Sequence, residues 1–226
     1  MWQYGCMETF PPPVCHELPG WLLLWAEIED PGSDPAALAR LRDEVAARAR
    51  ASHTLESLSA HPTVVALRRL FRQAGCDPTR YRPSSEALLR RLLKGEPMPT
   101  IHPLVDVNNC LSTELAVPAC VMNTANLEPP FVFRAGRPGE SYLSLRGPFN
   151  LEGKPLLLDA RGPADAPITG GERVKVLPET TRAWLVAYAP AAALTRDCLE
   201  GALRSLAEAS GFVVSALGFS GPDAAV

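Results

Sequence analysis

An α+β fold is predicted for this chain. Helical periodicity dominates residues 35–117, and short strands broken by Pro and Gly take over beyond Pro118. Helices followed by strands argue against an alternating parallel sheet. No internal repeat is present, and 226 residues with 46% hydrophobic content can bury a full core as one large domain or two small ones.

Residues 1–13, with Pro11-Pro12-Pro13, read as a loose lead-in segment. Val14 to Glu29 holds one or two strands; Trp21–Ile28 is the stronger, apolar and bounded by Gly20 and Pro31. Pro35–Arg50 places Leu38, Leu41 and Val45 at helical spacing, with Asp34 as N-cap. Pro62–Gly75 carries a second stripe, Val64, Leu67, Leu70, Phe71 and Ala74. Ser84–Lys94 is a third helix, capped by Ser84 or Ser85, with Leu88, Leu89, Leu92 and Leu93 inward. Ala119–Met122, Phe131–Arg134, Ser141–Leu145, Pro155–Asp159 and Arg182–Ala189 are the strand candidates. Thr195 then caps a helix to about Ser210, and Phe212–Leu217 ends the fold.

Composition narrows the function. A formal charge of −3 gives no global reason for nucleic-acid binding, so any RNA contact must use a local basic face. No apolar run reaches the ~18 residues of a membrane span, and the amino terminus lacks the pattern of a secretory signal. The six cysteines are scattered, without a Cys-x-x-Cys, and are expected as reduced thiols in the cytoplasm. The four histidines have no close metal-ligand spacing.

One stretch is markedly basic. Eight basic residues lie between Arg68 and Lys94, against only Asp77 and Glu86. Solvated helix faces account for most of them. Arg82, Arg90, Arg91 and Lys94 are the candidates for a phosphate-binding surface, Arg82 standing apart in a Tyr-Arg-Pro turn.

His102 to Cys120 concentrates polar side chains among apolar ones. Leu104, Leu111 and Leu115 repeat at helical spacing, Pro103 suits the first turn, and Pro118 closes the segment. The helix either keeps a solvated polar face or aims Asn108 and Asn109 into a pocket, where each amide needs partners. Downstream, the loop Thr169-Gly170-Gly171-Glu172 allows close backbone approach, as an ordinary hairpin or as a site for an anion or water.

These segments carry a resemblance. Val105-Asp106-Val107-x-Asn109 followed by Glu114-Leu115-x-x-Pro118 resembles the B3/B4 domain of the phenylalanyl-tRNA synthetase beta subunit. Tyr81-Arg82-Pro83-Ser84-Ser85-Glu86-Ala87-Leu88-Leu89-Arg90-Arg91 is similar to free-standing B3/B4 proteins. Gly170-Gly171-Glu172, then Glu179-Thr180, is the third matching block, so the likeness runs from about His61 to about Pro190. It implies a B3/B4-type fold, a β-sandwich of unusual topology with helices packed on it. Residues 1–60 would form a strand and helix extension packed on a domain spanning residues 61–226.

The resemblance also implies an activity, hydrolysis of mischarged aminoacyl-tRNA without metal or cofactor. A water held by backbone amides and polar groups would attack the ester, assisted by the terminal ribose hydroxyl. Asn108, Asn109, Gly170 and Gly171 take that positioning role, with Cys120, His102 and Thr169 beside the substrate. Glu172 stands where the family's glutamate faces the para-hydroxyl of a wrongly attached tyrosine, a bond that would discriminate against phenylalanine. Three positions depart from the pattern: Cys120 replaces a histidine, Asn108 a threonine, and His102 an asparagine. A Cys120 or Cys110 nucleophile activated by His102 would need a thiolate and an oriented base. The partners expected are the tRNA acceptor end or aminoacyl-tRNA. The competing expectations are a non-catalytic module for a free amino acid or small aromatic metabolite, and a docking protein for tRNA or a synthetase.

Overall fold

Residues 21–29 and 182–190 are nearly continuous apolar runs, and they end up covered on both faces. The structure, a computed structural model, describes residues 10–221; Cys6 and most of the lead-in segment fall outside the described residues. The elements in chain order are β1 (Val14–His16), β2 (Trp21–Glu29), α1 (Pro35–Ser52), α2 (Pro62–Gln73), α3 (Ser84–Leu93), α4 (Pro103–Leu115), β3 (Ala119–Asn123), β4 (Phe131–Ala135), β5 (Ser141–Ser144), β6 (Gly147–Asn150), β7 (Pro155–Asp159), β8 (Gly162–Ala166), β9 (Thr169–Gly170), β10 (Arg182–Pro190), α5 (Arg196–Ser210) and β11 (Val213–Ser220). Short 3-10 turns lie at Ser57–Ala60, Thr124–Asn126 and Glu172–Val174.

Two sheets face each other. One has the order β11-β2-β10-β3 and is antiparallel throughout; the other has the order β1-β4-β7-β8-β9, parallel only between β1 and β4. On β2, Leu22, Leu24, Ala26 and Ile28 meet the helices α1, α3, α4 and α5. Trp21, Leu23 and Trp25, on the opposite face, meet Phe131, Phe133 and Leu157 of the second sheet. Strand β10 divides its residues the same way, Leu185 and Ala187 toward the helices and Val186 and Tyr188 toward the second sheet. The period-2 alternation therefore sorts residues between two cores rather than between core and water. Leu67, Leu70 and Phe71 of α2 join the inter-sheet core. The α+β class and the sandwich with helices on it are as the sequence implied.

Each predicted helix is present, and Asp34 caps α1 by accepting from the Ala36 and Ala37 amides. The cap of α3 differs. Pro83 holds that position without a side-chain bond, and Ser85 is buried with its hydroxyl donating to the Ala116 carbonyl at 3.0 Å. Glu86 is buried too, for a reason given below. Strands β6, β8 and β9 had no counterpart in the sequence reading. Gly147-Pro148 and Gly162-Pro163 look like turns, and only the neighbouring strand supplies the pairing that makes them extended. The expected division at residue 60 passes between strands that share one sheet, since β2 pairs with β10 along its whole length.

Candidate functional site

The site begins at the junction of α4 and β3. Helix α4 has almost no solvated face: Asp106, Asn108, Ser112 and Thr113 are buried along with its apolar residues. Asp106 is held by Arg42 at 2.5 Å and by the Ile101 amide at 2.9 Å. The helix ends at Ala116 in the left-handed region (φ 55°), a conformation that costs an L-residue ~1–3 kcal/mol and must be held by its surroundings. Three side chains hold it. Ser85 donates to the Ala116 carbonyl (3.0 Å), Ser112 to that of Val117 (2.8 Å), and Asn108 Nδ2 to that of Ala119 (3.2 Å). The turn therefore delivers Ala119 and Cys120 beside Asn108 and Asn109.

A cavity of about 270 Å3 lies between α4, β3 and the β8–β9 turn. Asn108, Asn109, Cys120, Thr169 and Gly170 all line it. Its inner end carries Asp165 of β8 and Tyr188 of β10; Arg91, Arg146, Ile101 and Leu145, all exposed, belong to its rim. Tyr188 donates to Asp165 Oδ2 at 2.6 Å, whereas Asp165 Oδ1 has no hydrogen-bond partner in the protein. Asn108 Oδ1 is likewise buried without a partner.

Electrostatics at the inner end follow from burial. Asp165 is 1% exposed, and loss of solvation raises its carboxyl to about 6 although the Tyr188 hydroxyl and the Cys120 thiol pull it down. Burial, reinforced by the Asp165 charge, pushes the Cys120 thiol well above its ordinary range. The same two causes raise the hydroxyls of Tyr142 and Tyr188. Cys120 is therefore a neutral thiol at pH 7, its sulfur 3.6 Å from the Val121 carbonyl, and not a nucleophile. Cys110 is fully buried in the helical core with its thiol raised to about 12. His102 cannot activate either of them as placed, because it is the N-cap of α4 and its Nδ1 accepts from the Leu104 amide at 3.3 Å.

The chain from α2 to α5, which supplies every wall of this cavity, also carries a family signature. A family model described as the B3/4 domain matches residues 66–207, more than half of the chain. The chain belongs to the B3/4 domain family. Among solved structures, this B3/4 protein is similar to an N-terminal fragment of the phenylalanyl-tRNA synthetase beta-subunit from Pyrococcus horikoshii, with 12% identity and a TM-score of 0.48. That alignment covers 99% of this chain and 57% of the fragment, so the chain spans little more than half its length. No curated protein matches.

The cavity of the B3/4 protein gathers part of the expected set and leaves part out. Gly171 is behind the lining: a Cβ there would stand 2.1 Å from the Ala164 carbonyl, so the second glycine serves the close packing of backbone on backbone. Gly170 does face the lining, where a Cβ would meet Leu145, Asp165 and Cys120. Thr169 keeps its carbonyl occupied by the Tyr142 hydroxyl. Glu172 lies outside the lining, in the 3-10 turn after Gly171, and its carboxylate is paired with Lys175. His102 is also outside the lining.

The basic residues separate as well. Arg68 grips the buried Glu86 with two bonds (2.9 and 2.5 Å), Arg90 adds a third at 2.9 Å, and Arg82 approaches within 3.7 Å. This cluster holds the Glu86 carboxyl below its usual range against the cost of burial. Arg90 is thus drawn onto a carboxylate and half-buried, whereas Arg82 leans toward the same carboxylate and stays exposed. Arg91 lines the cavity and pairs with Glu96 at 2.7 Å, and Lys94 is the exposed C-cap of α3.

Asp165, Tyr188 and Arg146 had no sequence signal. A single aspartate in Gly-Pro-Ala-Asp-Ala matches no spacing rule, and only the pairing of β8 with β7 and β9 turns it inward. Among the described residues no group of three His, Cys, Asp or Glu side chains could hold a metal ion, and no helix is long and apolar enough to cross a membrane.

Proposed function

We propose that this B3/4 protein binds the acceptor end of tRNA in the cytoplasm and hydrolyses mischarged aminoacyl-tRNA in trans. One observation carries the reading: Asn108, Asn109, Cys120, Thr169 and Gly170, from three separated segments, line a single cavity large enough for an aminoacyl group. Water attacks the ester carbonyl, the bond to the ribose oxygen breaks, and that oxygen leaves with a proton. The neutral Cys120 thiol favours direct attack by water over a covalent intermediate. Asn108 and Asn109 would position the ester and the water, and Arg146 and Arg91 at the rim would meet the terminal phosphates. Glu172, committed to Lys175, is left without a role in this reading.

The test is incubation of the purified protein with Tyr-tRNA and a panel of other mischarged tRNAs. Release of the amino acid above the buffer rate is expected for at least one species, and no release from any of them would end the claim. A second reading, a non-catalytic module for a free amino acid or small aromatic metabolite, is favoured by the unpartnered acceptors Asp165 Oδ1 and Asn108 Oδ1. It predicts a thermal shift with a small molecule and no retention of RNA.

A further inference from the structure

The cavity is lopsided in its hydrogen-bonding capacity. Its inner end offers two acceptors without donors, Asp165 Oδ1 and Asn108 Oδ1, both on side chains at least nine-tenths buried. The strong donors nearby are already spent, the Tyr188 hydroxyl on Asp165 Oδ2, the Tyr142 hydroxyl on the Thr169 carbonyl and Asn108 Nδ2 on the Ala119 carbonyl, which leaves the Cys120 thiol, a weak donor, beside the Asp165 carboxylate. Rotating the Asn108 amide would set its oxygen against the Ala119 carbonyl oxygen, so Oδ1 is the atom left over. Positive charge is confined to the rim, on Arg91 and Arg146. An enclosed carboxylate without a cation is costly, and a protein retains one where a ligand completes it.

We propose that the cavity is a recognition site for a free primary ammonium group, with Asp165 as its counter-ion and the Asn108 side-chain carbonyl as a further acceptor. Resting on the reading above, the group is the α-ammonium of an aminoacyl ester. The ammonium enters first, and the ester and its nucleotide stay toward the arginines. An ammonium supplies three donors and a charge, which matches the inner end better than a hydroxyl with one donor and none. Asp165 and Asn108 thereby select for an unblocked amino terminus rather than for a particular side chain.

The groups facing Asp165 are Tyr188 from β10, Cys120 from β3 and Tyr142 from β5. Burial raises the pKa of all three, so they stay neutral near pH 7 and Asp165 alone titrates at the inner end. Binding of the amine should therefore weaken as the pH falls through about 6 and Asp165 takes up a proton.

The experiment compares blocked and unblocked amines. Phenylalaninamide, tyrosinamide and alaninamide are titrated against the 226-residue chain beside their N-acetyl counterparts, and free and N-acetylated aminoacyl-tRNAs are compared for hydrolysis. Acetylation is expected to weaken binding and slow hydrolysis roughly 10- to 100-fold, the worth of a charge-assisted bond. Asp165→Asn, which preserves shape and removes the charge, should erase that preference and its pH dependence. Equal binding of amides and N-acetyl amides by the native protein, or no binding of any amide, overturns the proposal without reliance on a variant. Equal hydrolysis of free and N-acetylated aminoacyl-tRNA overturns it while leaving the editing reading intact. An amine preference with no hydrolysis of any aminoacyl-tRNA leaves the ammonium site standing and removes the editing reading.

Discussion

Asp165 is buried with a hydroxyl and a thiol beside it and no cation, and its titration should be visible in the stability of the whole protein. Its carboxyl is raised from 3.8 to about 6 in the folded state. Between those values the folded chain holds a proton that the unfolded chain releases, so this group's contribution is full below pH ~4 and lost as the pH rises through about 6. A shift of this size corresponds to about 3 kcal/mol. Asp165→Asn should therefore be roughly 2–3 kcal/mol more stable than the native protein at pH 7.5, with the gap closing by pH 4. Urea unfolding at the two pH values measures it, and a variant less stable at pH 7.5 would mean that Asp165 has a cation partner in the fold. Asn109, Cys120 and Gly170 were legible as candidates because they sit in patterned segments. Asp165 was not, since its importance comes from what surrounds it.

The connection from α4 to β3 places the largest share of the site. Buried hydroxyls and an amide, each spent on one backbone carbonyl of residues 116–119, hold a left-handed alanine and the strand that follows it. Removing Ser85's hydroxyl would strand the Ala116 carbonyl, which costs about 1–3 kcal/mol. Ser85→Ala should lower stability by that amount in thermal or urea unfolding. Ser84→Ala, at the other position expected to cap α3, should stay within about 0.5 kcal/mol. Equal losses would mean that Ser84 caps the helix after all. The existence of α3 and α4 was plain from the leucine spacing, but periodicity cannot tell a polar face turned to water from one turned to a cavity. Asp106, Asn108, Ser112 and Thr113 look solvent-directed in a helical wheel and are buried because α1, β3 and the β8–β9 turn close over them.

Across the whole molecule, the basic stretch between Arg68 and Lys94 divides into a structural cluster and a rim. Arg68 and Arg90 hold Glu86 with Arg82 leaning toward it from solvent, Arg69, Arg72, Arg80 and Lys94 are exposed, and Arg91 stands at the mouth of the cavity, where Arg146 joins it from outside the stretch. In a chain with a formal charge of −3, the exposed cations among these would carry any attraction for RNA. Arg146→Ala should weaken tRNA retention and reduce the slope of log affinity against log salt by about 1. Arg90→Ala should leave that slope nearly unchanged and lower stability instead, because it strips one partner from a buried carboxylate. Filter binding across a salt series separates the two, and a larger slope change for Arg90→Ala would return the phosphate surface to α3.

The sequence alone determined the helices, the long strands and the α+β class, because 3.6- and 2-residue periodicities are local and survive without knowledge of neighbours. Its motifs also carried the B3/4 likeness. Only the tertiary structure decided which polar groups face one another. It drew Arg90 onto Glu86 with Arg82 leaning toward it, kept Glu172 on Lys175, and turned Asp165 toward the space beside Asn108 and Cys120. Charge and hydrogen-bond partners are set by contacts between distant segments, and a linear pattern does not record which segments will meet.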